Sequence, residues 1–458
     1  MGKLWHKNYE LDAFVEKFTV GQDYKLDQRL LKADCVASLA HATMLAGIGL
    51  LTQEELASLK EGLVSIIKAH DSTGFPITQA DEDGHTAIEN ALTARYGDAG
   101  KKIHTGRSRN DQVIVATRLY ARAFLLTFLK NILQLVNTLL VFAEENKLVP
   151  MAGRTHMQIA MPSSVGLWAG AYAEQLLDDC QLVKTAYQLN NQSPLGSAAS
   201  YGVPLPLNRE LVAELLGFAK VQNNVLYANN SRGKMESIIL DAVDQVVLTL
   251  SKMAQDLILY SMPEFAYFTL PDNLCSGSSI MPQKKNPCGL ELLRAKSATV
   301  SACAFQIKNI IKALPSGYNR DFQETKEPFL RGGETGLGCV QIMNLAISKV
   351  QVNKEALRAG FRPEIYATDA ALELVAKGMP FRDAYKEVGL HLDQLESRDP
   401  ETAIKARTYT GTTGNLRLDK AQAALAELES FAETEEEKID GKITKLVGFP
   451  VQLFVEDN

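Results

Sequence analysis

From Phe124 to Phe142 apolar side chains fill most of a helix's circumference, and Thr127, Asn131, Gln134 and Thr138 leave only a narrow polar stripe at helical spacing. A helix this apolar has to be enclosed on several sides by others, as in a bundle. Between Met235 and Met262, Ile239, Val243, Val246, Leu250, Met253 and Leu257 recur at steps of three and four, and Pro263 closes the run. A third pattern begins with Asn286, suited to cap a helix, and Pro287, suited to its first position. It runs to about Leu314, where Pro315-Ser316-Gly317 breaks it. A fourth starts near Pro162 and carries Trp168, Tyr172 and Leu176; a fifth starts soon after Asn110. Strand-like alternation is scarce. The chain reads as all-α: about a hundred N-terminal residues, a bundle of very long helices, and a smaller C-terminal part from about Val352. The acidic run Glu427–Glu437 reads as a solvated helix face.

Bulk properties exclude several classes. A net charge of −6 argues against a nucleic-acid partner bound through a broad basic face. Six scattered cysteines without a C-x-x-C suit neither a disulfide framework nor a structural zinc site, and point to a reducing, cytoplasmic setting. Met1–Tyr9 lacks a signal peptide's apolar core, and no uninterrupted apolar run is long enough to span a membrane. There is no P-loop and no G-x-G-x-x-G after a strand. No two of the seven histidines sit at ligand spacing on one helix, so no metal and no organic cofactor is expected.

Four segments interrupt the apolar pattern with concentrated polar chemistry. They are His85–Glu89 after Asp81-Glu82-Asp83, His104–Asp111, Gly153–Gln158 and Ser276–Pro287. Each alone reads equally well as a solvated loop or turn, and His85 as the tail of an acidic surface run. Together they share a feature: each falls at or near the predicted end of a long helix, where free amides and a partial positive charge bind anions. Ser108, Asn110, Thr155, Ser278, Ser279 and Asn286 add neutral donors; Arg107, Arg109, Lys284 and Lys326 add cations. This inventory suits a small substrate rich in carboxylates. In Ser276–Pro287, Gly277 frees the backbone of a loop able to close over a ligand. A serine there becomes a competent base if amides, a helix N-terminus and an ammonium such as Lys284 hold its alkoxide.

GSSIMPQKKNP, residues 277–287, resembles the signature of the fumarase/aspartase superfamily, homotetrameric all-α lyases that release fumarate from succinyl-bearing substrates. HTGRSRNDQV at 104–113, PLGSAASYG at 194–202, LPSGYNRDFQETKE at 314–327 and GMPFRDAYKEVG at 378–389 are similar to segments of the argininosuccinate lyase family. The resemblance implies an N-terminal helical domain (1–107), a central five-helix domain (108–352) and a C-terminal helical domain (353–458). Four central domains would pair into a twenty-helix core, each active site drawing segments from three subunits. It implies reversible cleavage of argininosuccinate to arginine and fumarate without cofactor or metal.

The resemblance also implies roles. Ser278 matches the base that removes the β-proton of the succinyl moiety. Lys284 and Asn286 would stabilise the aci-carboxylate. His156, paired with Glu291, would assist proton transfer to the departing nitrogen. Thr86, Ser108, Arg109, Asn110 and Thr155 would hold fumarate's carboxylates. Tyr318, Gln323 and Lys326 match positions that bind the rest of the substrate. Asp27 belongs to the binding set, and His85 lies next to the pocket. Three positions depart from the family pattern: Asp23 stands where relatives commonly carry serine, Arg154 where a tyrosine is usual, and Asn230–Gly233 matches its counterpart loosely. The alternatives are another succinyl-amine substrate such as adenylosuccinate, or a catalytically silent, crystallin-like structural relative.

Overall fold

The computed structural model describes residues 12–456; Met1–Tyr9 lies outside the described residues. Five long helices form its centre. α1 (Arg109–Glu145) begins at a capping box in which the Ser108 hydroxyl accepts from the Asn110 amide and Asp111 accepts from the Ser108 amide. α2 (Val165–Asn190) is capped by Ser164, three residues inside its predicted start. α3 spans Lys234–Tyr260, α4 Cys288–Ile311 and α5 Lys326–Lys349.

Side-chain pairs fix the directions. Lys308 meets Asp241, Ser301 meets Asp244 and Arg294 meets Gln255, so α3 and α4 run antiparallel. Trp168 and Tyr172 both donate to Asp256 and Thr249 donates to Asp179, so α2 and α3 are antiparallel as well. α5 lies parallel to α1 and α3: Gly333 abuts Phe124, Gly336 abuts Val243, and Thr138 donates to Asn344. Gly336 is glycine for lack of room, since a Cβ there would stand 2.3 Å from Val243 Cγ1. By length and composition α1 could cross a membrane, but its apolar faces are buried against α2 and α5.

Two sequence expectations change. Gly153–Gln158 is no helix end but the tip of a hairpin, β1 (Pro150–Thr155) with β2 (Gln158–Ser164), bulged at Gly153 and leading into α2. Asn286 does not cap α4: it pairs with Ser276 across the loop's stem, both amides donating to the opposite carbonyl, and its side chain donates to the Gly277 carbonyl. The acidic run lies on the last helix (Leu418–Val447), which packs on α1 and α2. Glu427 and Glu433 face solvent, but Glu435 accepts hydrogen bonds from Tyr187 and Asn191.

Candidate active site

The antiparallel bundle has two polar ends. At the first lie the N-termini of α1, α3 and α5; α1 meets helix Gly84–Tyr96 through Arg109, and α5 reaches it through Lys326 and Asp27. Asp83 caps that helix, accepting from both the amide and the hydroxyl of Thr86 at 2.9 and 2.8 Å. Arg109 donates to Glu82 at 2.9 Å and to the Thr86 hydroxyl at 2.5 Å, and its Nε stands 3.3 Å from Asp83. The supposed surface run Asp81-Glu82-Asp83 is therefore largely an internal counter-charge: Glu82 and Asp83 are buried beneath Arg109. Asn110 is buried beside it, and Asp111 reaches back to accept from the amides of Gly196 and Ala198 at 3.0 and 2.9 Å.

Below this layer, Lys326 is enclosed. Its ammonium contacts Asp27 at 2.5 Å and Asp23 at 2.6 Å, while the other Asp27 oxygen accepts from the Gly84 amide at 2.8 Å. Burial opposes the Lys326 charge, but the two carboxylates outweigh it and hold its pKa above the ordinary lysine range. His85 is buried against Asp34, whose other oxygen accepts from Ser38, which in turn accepts from Arg107 at 2.9 Å. Burial disfavours the His85 imidazolium; Asp34, then Asp83 and Asp27, reverse the sign and raise its pKa. His104 goes the other way, lowered to about 4 by burial and by Arg107, His85 and Arg109. Gln323 donates to the carbonyls of Thr19 and Val20, and Tyr318 is partly exposed beneath the Arg232 guanidinium.

The second end carries the other predicted residues. Thr155 and His156 sit at the exposed hairpin tip. His156 and Met157 have φ of 51° and 63°, the paired left-handed conformation of a tight two-residue turn, which thrusts the imidazole outward. Arg154 braces the turn by donating to the Met157 carbonyl and stacks on Phe265. Between α3 and α4, the Ser278 hydroxyl oxygen accepts from the amides of Ile280 at 3.3 Å and Met281 at 3.1 Å. Lys284 and Glu291 are exposed there.

No hydrogen bond or ion pair among the described residues joins Ser278, Lys284, His156 or Glu291 to the first end. The 27 residues of α3 separate the two ends by about 40 Å at 1.5 Å per residue. A single chain therefore carries the predicted residues at two separate ends, one rich in acids and buried cations, the other exposed and bearing Ser278, His156 and Lys284. Asp34, Glu82, Asp83 and Asp111 organise the first end without having been predicted; the Asp83-x-x-Thr86 and Ser108-x-x-Asp111 capping spacings were the local signals. Among the described residues no group of three or more histidine, cysteine or acidic side chains is placed to hold a metal ion.

A family model described as Lyase matches residues 7–302. The argininosuccinate lyase of Sorangium cellulosum is 43% identical over 417 residues, 91% of this chain and 97% of the relative. A variant of EDDS lyase with bound fumarate shares the fold at a TM-score of 0.80 and 21% identity, over 94% of each chain. The class II fumarase of Schistosoma mansoni shares it at 0.72 and 18%, over 86% of this chain and 95% of that one. The fold is thus the all-α fumarase/aspartase architecture. By a likeness that runs through nearly the whole of both sequences, this chain belongs to the argininosuccinate lyase family.

Proposed function

We propose that this protein is an argininosuccinate lyase, a carbon–nitrogen lyase that splits argininosuccinate reversibly into arginine and fumarate. The observation that carries this reading is the near-full-length likeness to a relative of that name. In the reaction a C–H bond beside a carboxylate and the C–N bond to the guanidinium both break, and fumarate's double bond forms. The protein must supply a base, a way to tolerate extra negative charge on a carboxylate, and an acid for the departing nitrogen.

Ser278 is the base. Two amides already donate to its oxygen, the arrangement an alkoxide requires. Such preorganised donors are each worth about 3–4 kcal/mol where charge develops. Lys284 and Asn286, on the same loop, stabilise the aci-carboxylate. His156, oriented by Glu291 of another copy, delivers the proton to the leaving nitrogen. Thr86, Ser108, Arg109, Asn110 and Thr155 orient the succinyl carboxylates, with His85 behind them; Asp27, Tyr318, Gln323 and Lys326 take the amino-acid half. The substrate carries its own leaving group, so the residues act without cofactor or metal.

Because the predicted residues stand at opposite ends of one bundle, the active unit is a homotetramer in which each site takes the first end from one chain, the hairpin with His156 from a second and the loop with Ser278 from a third. Its protomer divides into an N-terminal domain (1–107), a central domain (108–352) and a C-terminal domain (353–458), working in the cytoplasm. Fumarate release, followed by its ultraviolet absorbance, tests the chemistry. Wild type should release fumarate from argininosuccinate, and Ser278→Ala should fold normally and lose nearly all turnover. An alanine variant with undiminished kcat removes Ser278 from the role of base.

A further inference from the structure

Helix Leu31–Gly47 is buried along almost its whole length, and most of what it buries is apolar. Three of its buried polar side chains, Asp34, Ser38 and His41, are no more than 2% exposed. Positions spaced i, i+4 and i+7 lie along one face of a helix. Each of the three reaches a different point of the first end. Asp34 meets His85, in the first turn of helix Gly84–Tyr96 and next to Thr86. Ser38 donates to Asp34 at 3.3 Å and accepts from the Arg107 guanidinium at 2.9 Å. His41 Nε2 lies 2.8 Å from the Thr105 carbonyl oxygen.

The His41 contact has a fixed sense. A carbonyl only accepts, so the ring proton is on Nε2. The ring is neutral: burial, then Arg107, hold its pKa well below the ordinary histidine range, and Nδ1 is buried with no hydrogen-bond partner. Enclosed and uncharged, this imidazole holds a backbone and exchanges no proton with a ligand. Thr105 lies in the turn His104–Arg107, closed by the Arg107 amide on the His104 carbonyl, and Ser108 follows directly as the cap of α1. Ser38 and His41 grip that turn by its guanidinium and its carbonyl, while Asp34 grips the start of helix Gly84–Tyr96. The two segments carry the residues proposed for the succinyl carboxylates, Thr86 on one and Ser108, Arg109 and Asn110 on the other. One rigid helix therefore sets the spacing between them.

We infer that His41 is a positioning residue for the dicarboxylate half of the substrate: through the Thr105 carbonyl, and with Ser38 and Asp34 on the same helix face, it sets where Ser108–Asn110 stand relative to Thr86. The inference rests on the proposed lyase function and deepens it. His41 is wholly enclosed and touches no substrate, so its removal acts by misplacing the donors that do. A displacement of about 1 Å at such donors can cost up to about 100-fold in rate.

Two ligands and two variants separate positioning from packing. His41→Leu removes the donor and keeps an apolar bulk; His41→Gln keeps an N–H where Nε2 stood. The assembled protein is titrated calorimetrically with fumarate alone and with arginine alone, neither of which turns over by itself. In His41→Leu the Kd for fumarate should rise about tenfold and that for arginine less than about threefold, and kcat/KM for argininosuccinate should fall about 10- to 100-fold. His41→Gln should recover most of both losses. Should His41→Leu fail to fold, Ser38→Ala, which removes only a hydroxyl, carries the test: fumarate should weaken about threefold to tenfold and arginine should not. Equal losses for the two ligands, a changed oligomeric state, or a glutamine variant as weak as the leucine one assign His41 to packing and overturn the inference. An unchanged fumarate Kd overturns it too. A wild type that binds fumarate yet releases none from argininosuccinate defeats the lyase reading alone; a wild type that turns over, with variants that keep its fumarate affinity, defeats the His41 assignment alone.

Discussion

Replacing Lys326 by methionine keeps the length of the side chain and deletes its charge. The two carboxylate oxygens it holds lie 2.5 and 2.6 Å from its nitrogen, so they are no more than about 5 Å from each other. At an effective dielectric of about 20, two unit charges at that separation repel by about 3 kcal/mol, in line with the 3–5 kcal/mol typical of a broken buried ion pair. In wild type the pKa of Lys326 is raised, so its contribution is fully present below the unfolded lysine value and is lost only as pH rises through the folded one. Neutral pH leaves it intact. For Lys326→Met, urea unfolding followed by circular dichroism should show a loss of about 3 kcal/mol near pH 8. Adding Asp23→Asn to the variant should restore most of it. A single variant within about 1 kcal/mol of wild type at pH 8, or a double variant no better than the single, would refute the reasoning.

Asp34→Asn should lose about 3 kcal/mol near pH 6, where His85 is charged. The deficit should narrow as pH rises, because the raised folded pKa of His85 makes its contribution present below the unfolded value and lost above the folded one; urea unfolding across pH measures it. Gly100→Ala would put a Cβ 2.4 Å from the Thr93 amide nitrogen and 2.5 Å from the Leu92 carbonyl carbon, backbone atoms that cannot step aside. It should cost about 2 kcal/mol despite alanine's better helix propensity, with a lowered Tm as the readout.

The long helices were legible because a 3.6-residue apolar period sustained over several turns suits a buried helix and no strand; α1, α3 and α4 lie within a few residues of where the pattern puts them. Partnerships across long sequence separations were not legible. Asp81-Glu82-Asp83 looks like surface because nothing local reveals that Arg109 covers it. Lys326 looks like a free cation because its two counter-charges stand some three hundred residues away, at Asp23 and Asp27. Asn286 has the chemistry of a helix cap, but closing the loop's stem on Ser276 satisfies its backbone instead. The polar clusters were visible as a set. Their division between the two ends follows from the antiparallel order of the helices, which side-chain pairing establishes and composition does not.

Subunit mixing tests most directly whether separate chains build each active site. Ser278→Ala and His156→Ala should each be inactive as pure proteins. When the two are unfolded together and allowed to reassemble, some sites should receive an intact serine from one chain and an intact histidine from another, and fumarate release should return. A mixture that reassembles to the same oligomer and stays silent, or a monomer as active as the assembly, would contradict the shared site.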